Sequence, residues 1–240
     1  MRNWLHFIIA LLVAFLLGGI VWMLLLSQYT VSTNGKEPVF YRGDRVLVTR
    51  TTYGLRLPFS ALWGYHRWGN NPVQRGEWIA FNQPDSKEPD IEQRPVCIAR
   101  CTAVPGDTVW FTWNRRLVSS RHASSTLMPF VVPGWKQTVQ VTPWNMHLLC
   151  NTLNLHEGRT ARIQGDTLWV DNRPVQTIRM RQDYYWVASG RESDLNDSRY
   201  FGFVPETHLI GKARMVTFST DPTMPLYKRF RNNRFFLPLP

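Results

Sequence analysis

The chain has 240 residues, enough for one large or two small domains with a sizeable core. Lysine and arginine outnumber aspartate and glutamate by 28 to 17, so the formal net charge is +11 and an anionic partner is expected. Three cysteines allow at most one disulfide within the chain, which excludes a small fold held together by several disulfides.

The first predicted element is an apolar helix, "WLHFIIALLVAFLLGGIVWMLLL", at residues 4–26. It carries no formal charge, and His6 is its one strongly polar residue. Such a helix rises about 34 Å, enough to cross a hydrocarbon layer of about 30 Å. A cleaved signal has a shorter apolar stretch that ends in small residues, which "LLLSQYTVSTNG" does not offer. We therefore predict a retained transmembrane anchor over residues 1–28.

The charges around this segment predict its orientation. Arg2 precedes it, and no lysine or arginine follows until Lys36, which favours an amino terminus inside and one pass through the membrane. A domain outside the cytoplasm meets little nucleic acid, so membrane lipid is the predicted anionic partner. The tail "YKRFRNNRFFLP" (residues 227–238) is either an interfacial segment or a solvated basic tail.

After this segment, the pattern is mainly β. Short alternating runs are separated by turn signals that contain glycine and aspartate, which predicts an antiparallel sheet or barrel. A short helix is expected within residues 145–165. The predicted strands lie in "DRVLVTRTTYGLRL", "EWIAFNQP", "RPVCIARCTAV", "DTVWFTW" and "DTLWVDNRPV".

An aromatic loop, "PFSALWGYHRWGNNP", occupies residues 58–72. Aromatic side chains beside cations are typical of a membrane interface, but packing over the sheet explains them equally well. The residues concerned are Trp63, Tyr65, His66, Arg67 and Trp68.

The cysteines have no metal-ligand spacing, and neither a metal nor a cofactor is predicted. Cys97 and Cys101 lie on one face of a predicted strand, about 13 Å apart, too far to bridge each other. Either one pairs with Cys150, or all three are buried thiols.

Four blocks occur in order: "GKEPVFYRGDRVLVTRTTYGLRLP", "RGEWIAFNQP", "IARCTAVPGDTV" and "YYWVASGRESDLNDSRYFGFVPETHLIGKA". With the apolar helix, they resemble the type I signal peptidases, membrane serine peptidases of the S26 family, and look most like versions from Bacteroidota. The resemblance implies the bacterial inner membrane, a periplasmic domain and exported preproteins or signal peptides as partners. It also implies a core β domain (residues 29–111 and 181–240) with an inserted smaller β domain (residues 112–180).

The resemblance further implies a serine–lysine dyad. Burial of the lysine among apolar groups disfavours its charged form, so the free amine can take the serine proton. The family proline and Gly-Asp match Pro38, Gly43 and Asp44, which puts the serine position at Gly35. The family Pro-Gly-Asp matches Pro105, Gly106 and Asp107, which puts the lysine position at Ala99 and its arginine at Arg100.

The last block, "SGRESDLNDSR", is changed selectively. The serine that would bond the lysine is replaced by Leu195, whereas Asp197, Ser198 and Arg199 match the family. These changes predict that the scaffold is kept and the chemistry is lost.

Nearby residues offer imperfect substitutes for the dyad. Ser32 would be displaced by about 10 Å along an extended chain. Thr33 matches a position that supplies an oxyanion hydroxyl in some family members, and Lys36 adjoins Gly35.

Three functions follow. The leading hypothesis is an inactive homologue that binds exported chains or pairs with an active signal peptidase or another envelope complex. An active peptidase with rearranged residues is the second. An assembly subunit whose groove is filled by its own side chains is the third.

Overall fold

The computed structural model describes residues 2–31, 39–57, 64–111, 128–188, 197–221 and 223–240. Antiparallel strands dominate and helices are few, as predicted from the alternating runs. The elements are α1 (Arg2–Leu25), β1 (Leu26–Thr30), β2 (Asp44–Thr49), β3 (Leu55–Arg56), β4 (Arg67–Trp68), β5 (Trp78–Asn82), β6 (Val96–Ala103), β7 (Thr108–Phe111), β8 (Met128–Val131), β9 (Thr138–Gln140), α2 (Met146–His156), β10 (Ala161–Gln164), β11 (Thr167–Val170), β12 (Arg173–Val175), β13 (Thr177–Arg179), β14 (Tyr184–Ala188), α3 (Ser198–Phe201), β15 (Val204–Pro205), β16 (Leu209–Ser219) and β17 (Leu237–Pro238).

The amino-terminal segment forms a helix, α1, of 24 residues. Large apolar side chains along it are exposed, among them Trp4, Phe7, Phe15 and Trp22. Among the described residues, no helix is both long enough and apolar enough to cross a membrane.

The main sheet has eight strands in the order β1-β2-β16-β5-β6-β14-β15, and β17 pairs with β16 outside this order. All of these pairings are antiparallel. The long strand β16 pairs with β2 and with β5, so it joins the two halves of the sheet. The strands next to it come from early parts of the chain.

Alternation decides which face of each strand is buried. In β6, Cys97, Ala99, Cys101 and Ala103 are buried, whereas the residues between them are partly or fully exposed. Cys97, Ala99 and Cys101 join one apolar cluster with Ile79 of β5. Ile98 of β6 points away from them and packs against a second cluster that contains residues of β2 and β16.

A third apolar cluster lies around α2 and strands β7 to β13. It contains Leu149 and Leu153 of α2 and Leu168 of β11, together with Tyr184 and Trp186 of β14. The helix predicted within residues 145–165 is confirmed as α2, and Gly158, with φ of 59°, lies two residues beyond its end. The division into a core and an inserted domain stays a prediction.

The three cysteines are free thiols, and each is buried. Of the two alternatives drawn from the sequence, three buried thiols is the one observed. Burial raises the pKa of the Cys101 thiol to about 12.

The aromatic loop lies partly outside the described residues, which begin again at Gly64. Arg67 is tied to the core, because its guanidinium donates to the carbonyl of Leu209 at 2.6 Å and to the hydroxyl of Tyr65 at 2.6 Å. Trp68, by contrast, is exposed. Packing over the sheet therefore accounts for Arg67 and Tyr65 but not for Trp68.

Candidate functional site

The predicted serine position and its neighbours lie outside the described residues. This holds for Ser32, Thr33, Gly35, Lys36 and Pro38, and also for Leu195 of the last block. The structure therefore describes the lysine side of the predicted site and the turns that flank it.

Ala99, the predicted lysine position, lies in the middle of β6 and is fully buried. Its register partner is Ile79 of β5, and Cys97 and Cys101 flank it on the same face. An amine at this position would be surrounded by apolar side chains, the environment that lowers the pKa of a lysine. The alanine leaves a methyl group there.

Among the lysines that the structure describes, Lys212 lies on the same face of the sheet as Ala99. The register pairs Lys212 with Ile79 and Ile79 with Ala99, so the three residues form a row across β16, β5 and β6. Two strand spacings, about 10 Å, separate Lys212 from Ala99. Its Nζ donates to Oε1 of Glu77 at 2.7 Å.

Glu77 has three hydrogen-bond donors. The hydroxyl of Tyr53 donates to Oε2 at 2.8 Å, and the amide of Gln74 donates to the same oxygen at 3.1 Å. Burial alone would raise the pKa of Glu77, but these bonds and the one from Lys212 outweigh burial and lower that pKa. The Lys212 amine is therefore engaged in an ion pair with this carboxylate.

The other described lysines have exposed side chains. The ammonium of Lys136 lies 3.8 Å from the ring centroid of Trp135, and that of Lys228 lies 5.7 Å from the ring centroid of Tyr227. Lys87 is exposed as well. Within the described ranges, no lysine is both buried and free of a carboxylate.

The two Gly-Asp turns are held by side-chain contacts. Asp44 is fully buried, and its carboxylate accepts hydrogen bonds from Nε and Nη2 of Arg234 at 3.1 and 2.5 Å. Gly43 has φ of 89°, and a Cβ there would lie 1.9 Å from the carbonyl oxygen of Thr220. The turn therefore requires glycine, and its aspartate has a cationic partner from the end of the chain.

The second turn, Pro105-Gly106-Asp107, follows the end of β6. Asp107 accepts from the amide of Val104 at 2.8 Å and from the guanidinium of Arg75. Burial works against ionisation of Asp107, but the bonds from Arg75 and Val104 lower the pKa of its carboxyl group. Arg100 faces the other side of β6 from Ala99, and its Nε donates to the carbonyl of Gly76 at 3.0 Å.

The residues of the last block that match the family form hydrogen bonds with one another and with β14. Asp197 is fully buried and accepts from the backbone amide of Arg199 at 2.8 Å and from its Nη2 at 2.7 Å. The hydroxyl of Ser198 accepts from the amide of Val187 at 3.0 Å. These residues fix the backbone beside β14.

Strand β1 lies at one end of the main sheet and, among the described residues, pairs with β2 alone. Partly buried apolar side chains on and near this strand and β6 pack against one cluster. They are Tyr29, Val39, Val96 and Ile98.

A contact between two histidines, His208, which is buried, and His156, which is partly buried, was not predicted from the sequence. The rings of His156 in α2 and His208 lie 5.2 Å apart, and Nη1 of Arg94 lies 3.0 Å from Nε2 of His208. No group of three or more potential metal ligands occurs in the described residues. The residues next to each histidine in the sequence do not distinguish it from a surface histidine. The contact is therefore seen only in the folded structure.

Comparison with known proteins identifies the family. A family model described as "Signal peptidase, peptidase S26" matches residues 3–218. The chain belongs to the peptidase S26 family. Within it, signal peptidase I of Pseudomonas aeruginosa is 26% identical over 218 residues, covering 83% of this chain and 68% of that protein. Signal peptidase I of Aquifex aeolicus is also 26% identical over 218 residues, covering 80% of this chain and 76% of that protein.

Proposed function

We propose that this S26 family member is an inactive signal peptidase homologue that binds exported chains, alone or as a subunit of a larger complex. The observation that carries the proposal is the pair of residues at the predicted dyad positions. Gly35 offers no hydroxyl, and Ala99 offers a methyl group where a buried amine would be needed.

The state of Lys212 supports the loss of activity. A general base must hold a free lone pair within reach of the nucleophile. The amine of Lys212 is engaged by the Glu77 carboxylate at 2.7 Å and lies about two strand spacings from Ala99. Losing one member of a catalytic pair already removes most of the rate acceleration, and here both are replaced.

An emptied peptidase groove keeps its capacity to bind an extended peptide. An added strand gains main-chain hydrogen bonds from an open edge and side-chain specificity from apolar pockets, without any catalytic group. The edge of β1, with apolar side chains of β1 and β6 beside it, suits an exported chain. The relatives are named signal peptidase I, which supports signal peptides as the ligand class.

We also propose that α1 anchors the protein in the bacterial inner membrane with its β domain on the periplasmic side. Support comes from the uncharged stretch at residues 4–26, from exposed apolar side chains along α1, and from Arg2 at its start. The division into a core domain (residues 29–111 and 181–240) and an inserted domain (residues 112–180) is part of the same proposal.

Incubation of the purified full chain with a preprotein tests the loss of activity. We expect no cleavage at the signal junction by mass mapping, with signal peptidase I of Pseudomonas aeruginosa as the positive control. Cleavage that disappears in Ser32→Ala or Lys36→Ala would overturn the proposal and establish an active enzyme with rearranged residues.

Binding is tested separately, with a fluorescent signal peptide and two variants of one strand. Ile98→Asp places a charge on a partly buried side chain of the apolar cluster that it shares with Tyr29 of β1, whereas Thr102→Asp changes an exposed residue of the same strand. We expect a loss of affinity of tenfold or more, about 1.4 kcal/mol, for Ile98→Asp alone. Equal affinity of both variants and the parent would contradict a peptide site beside this cluster.

A subunit role without peptide binding is the second candidate. Leu239 packs against the same apolar cluster as Val96 and Ile98, so the chain's own carboxyl-terminal segment fills part of that core. Failure of the signal peptide to bind, together with co-purification of an active signal peptidase from native membranes, would favour this role.

A further inference from the structure

A notch opens in the main sheet where β5 begins. Trp78, the first residue of β5, pairs with Arg100 of β6, and β6 continues beyond this point. On the other side of β5, Ile79 pairs with Lys212 of β16, and β16 also continues. The turn at residues 74–77 leads into β5 between these two longer strands. Because the sheet is interrupted here, side chains from both of its faces can line one pocket.

The pocket in this notch is lined largely by polar and basic side chains. Its volume is about 420 Å³, and pockets that bind small ligands commonly have about 300–1,000 Å³. Glu77 is the one acidic side chain among the described residues that line it. We call it the basic pocket after its four cationic side chains, Arg75, Arg100, Lys212 and Arg214.

The carboxylates near the basic pocket are already bound. Glu77 accepts from Nζ of Lys212 at 2.7 Å. Asp107, just outside the pocket, is bound by the guanidinium of Arg75. These two acids therefore compensate two of the four cations. The charge of the other two arginines is left without a carboxylate among the described residues.

The two uncompensated guanidiniums are each held through one nitrogen. Nε of Arg100 donates to the carbonyl of Gly76 at 3.0 Å, and Nε of Arg214 donates to the hydroxyl of Thr49 at 3.2 Å. Both arginines are exposed. The bonds at Nε orient each side chain, and the terminal nitrogens of each guanidinium remain accessible to a ligand.

A β-bulge in β16 presents Arg214. Ala213 pairs with Val48 of β2 and Met215 pairs with Leu47, so Arg214 has no partner in this pairing. A bulge disrupts the ladder locally and re-aims a side chain, and bulges are frequent next to functional sites. The interruption of the β2–β16 pairing therefore coincides with the arginine that lines the basic pocket.

Two guanidiniums from different strands favour a phosphate-type oxyanion. Each guanidinium presents a planar fork of N–H donors that matches the oxygens of a carboxylate or a phosphate. A carboxylate has two oxygens in one plane and suits one fork, whereas a tetrahedral oxyanion offers oxygens to forks that approach from different sides. A phosphate monoester also carries about two negative charges at neutral pH, which matches the two uncompensated arginines.

We propose that the basic pocket binds an oxyanion of the phosphate type between Arg100 and Arg214, beside the ion pair of Lys212 and Glu77. A soluble phosphate compound and the phosphate of a lipid headgroup have this chemistry in common. The proposal is independent of the loss of activity and of the membrane anchor, because none of its residues belongs to the predicted dyad or to α1.

The test is a calorimetric titration of the full chain in non-ionic detergent with inorganic phosphate near neutral pH. Arg214→Gln removes both the charge and the fork, whereas Arg214→Lys keeps the charge and removes the fork. Arg162→Gln, at an exposed position of β10 outside the pocket, makes the same change in net charge and is the control. Denaturant titration of each variant checks that it is folded.

We expect Arg214→Gln to weaken phosphate binding about tenfold or more, the loss of a charge-assisted pair, and Arg214→Lys to weaken it by a smaller factor. Arg162→Gln should bind phosphate as the parent does, and acetate should bind the parent more weakly than phosphate. Equal phosphate affinity of the parent and Arg214→Gln, or no binding to the parent at about 10 mM phosphate, would overturn the site. Acetate binding as tight as that of phosphate would overturn the ligand class.

Native mass spectrometry of the full chain released from membranes distinguishes the two sources of phosphate. A phospholipid adduct that is present on the parent and absent from Arg214→Gln would support the site and identify a lipid headgroup. Binding of inorganic phosphate without such an adduct would support the site and identify a soluble compound.

Discussion

Asp44 and Arg234 form a buried ion pair. The residues next to either one in the sequence do not predict it. Asp44 is fully buried and Arg234 is 6% exposed, and their charged groups make two contacts. A buried charge that loses its partner keeps its desolvation penalty, so removing one member of such a pair is costly.

We expect Arg234→Ala to lower the free energy of unfolding by about 3–5 kcal/mol, measured by denaturant titration of the full chain in detergent. Arg159→Ala is the matched control, because Arg159 pairs with Asp171, whose side chain is 52% exposed. An exposed pair contributes about 0–1 kcal/mol. Similar losses in both variants would show that Asp44 does not need this partner.

Single residues also show where sequence reasoning succeeds. Counting from Pro105-Gly106-Asp107 predicts a buried strand position at Ala99, and the structure places Ala99 there, because turn and strand are local in the chain. The counterpart Gly35 lies outside the described residues, so the dyad assignment stays a prediction. Glu77 and Tyr53 around Lys212 were missed, since three residues from separate parts of the chain share no local pattern.

At the scale of elements, α2 contacts the core through His156, whose ring packs against that of His208 just before β16. Burial lowers the pKa of His156 to about 4 and that of His208 to about 2, with the positive charge of Arg94 acting in the same direction. His156 also repels any charge on His208, and Arg56 adds a further positive charge near His208. Asp85 favours the charged form of His156 but does not offset its burial.

Stability should therefore fall on acidification. An unfolded histidine titrates near pH 6.5, so below about pH 6.5 the unfolded chain binds more protons than the folded chain, until the folded pKa values are reached. Each histidine whose pKa is lowered in this way contributes up to about 1.4 kcal/mol per pH unit in this window. Denaturant titrations at about pH 7.5, 6.5 and 5.5 measure the slope above the range of carboxylates.

The controls for this slope are two substitutions. We expect His208→Gln to flatten the dependence on pH, and His147→Gln, at an exposed position of α2, to leave it unchanged. A slope that is the same in His208→Gln as in the parent chain would exclude the buried pair as its source.

Elements were predicted well where a pattern is periodic. The strands β2, β5, β6, β7, β11 and β12 each fall within a run of alternating residues, and α2 falls within the one stretch given to a helix. The strand β17 was missed, because its two residues have no alternation and form by pairing with Met215 and Val216. The internal bonds of the basic tail were not predicted for the same reason, since Arg42 and Asp44, which bind its arginines, lie far away in the chain.

At the scale of the whole molecule, one apolar cluster joins the region around α2 to the main sheet. Leu168 of β11 and Leu149 of α2 belong to the same cluster as Trp186 of β14 and Phe203. The rings of Trp186 and Phe203 are 5.6 Å apart. Continuous packing of this kind couples the two regions in unfolding.

We expect Leu168→Ala to destabilise the whole chain by about 2–5 kcal/mol, the cost of a cavity in a packed core. Hydrogen exchange should then show lower protection in β6 and β16 as well as in β10 and β11. Arg162→Ala, at an exposed position of β10, is the control. Faster exchange confined to residues 128–180 would show two independently unfolding units instead.

The partner of Asp44 lies 190 residues further along the chain. A chain made from its amino end contains the aspartate long before the arginine, so an incomplete sheet would hold a carboxylate without its cation. Folding would then be complete only once residue 234 has been made. Nascent chains that stop before this residue should stay sensitive to proteases, so the cell could degrade incomplete copies.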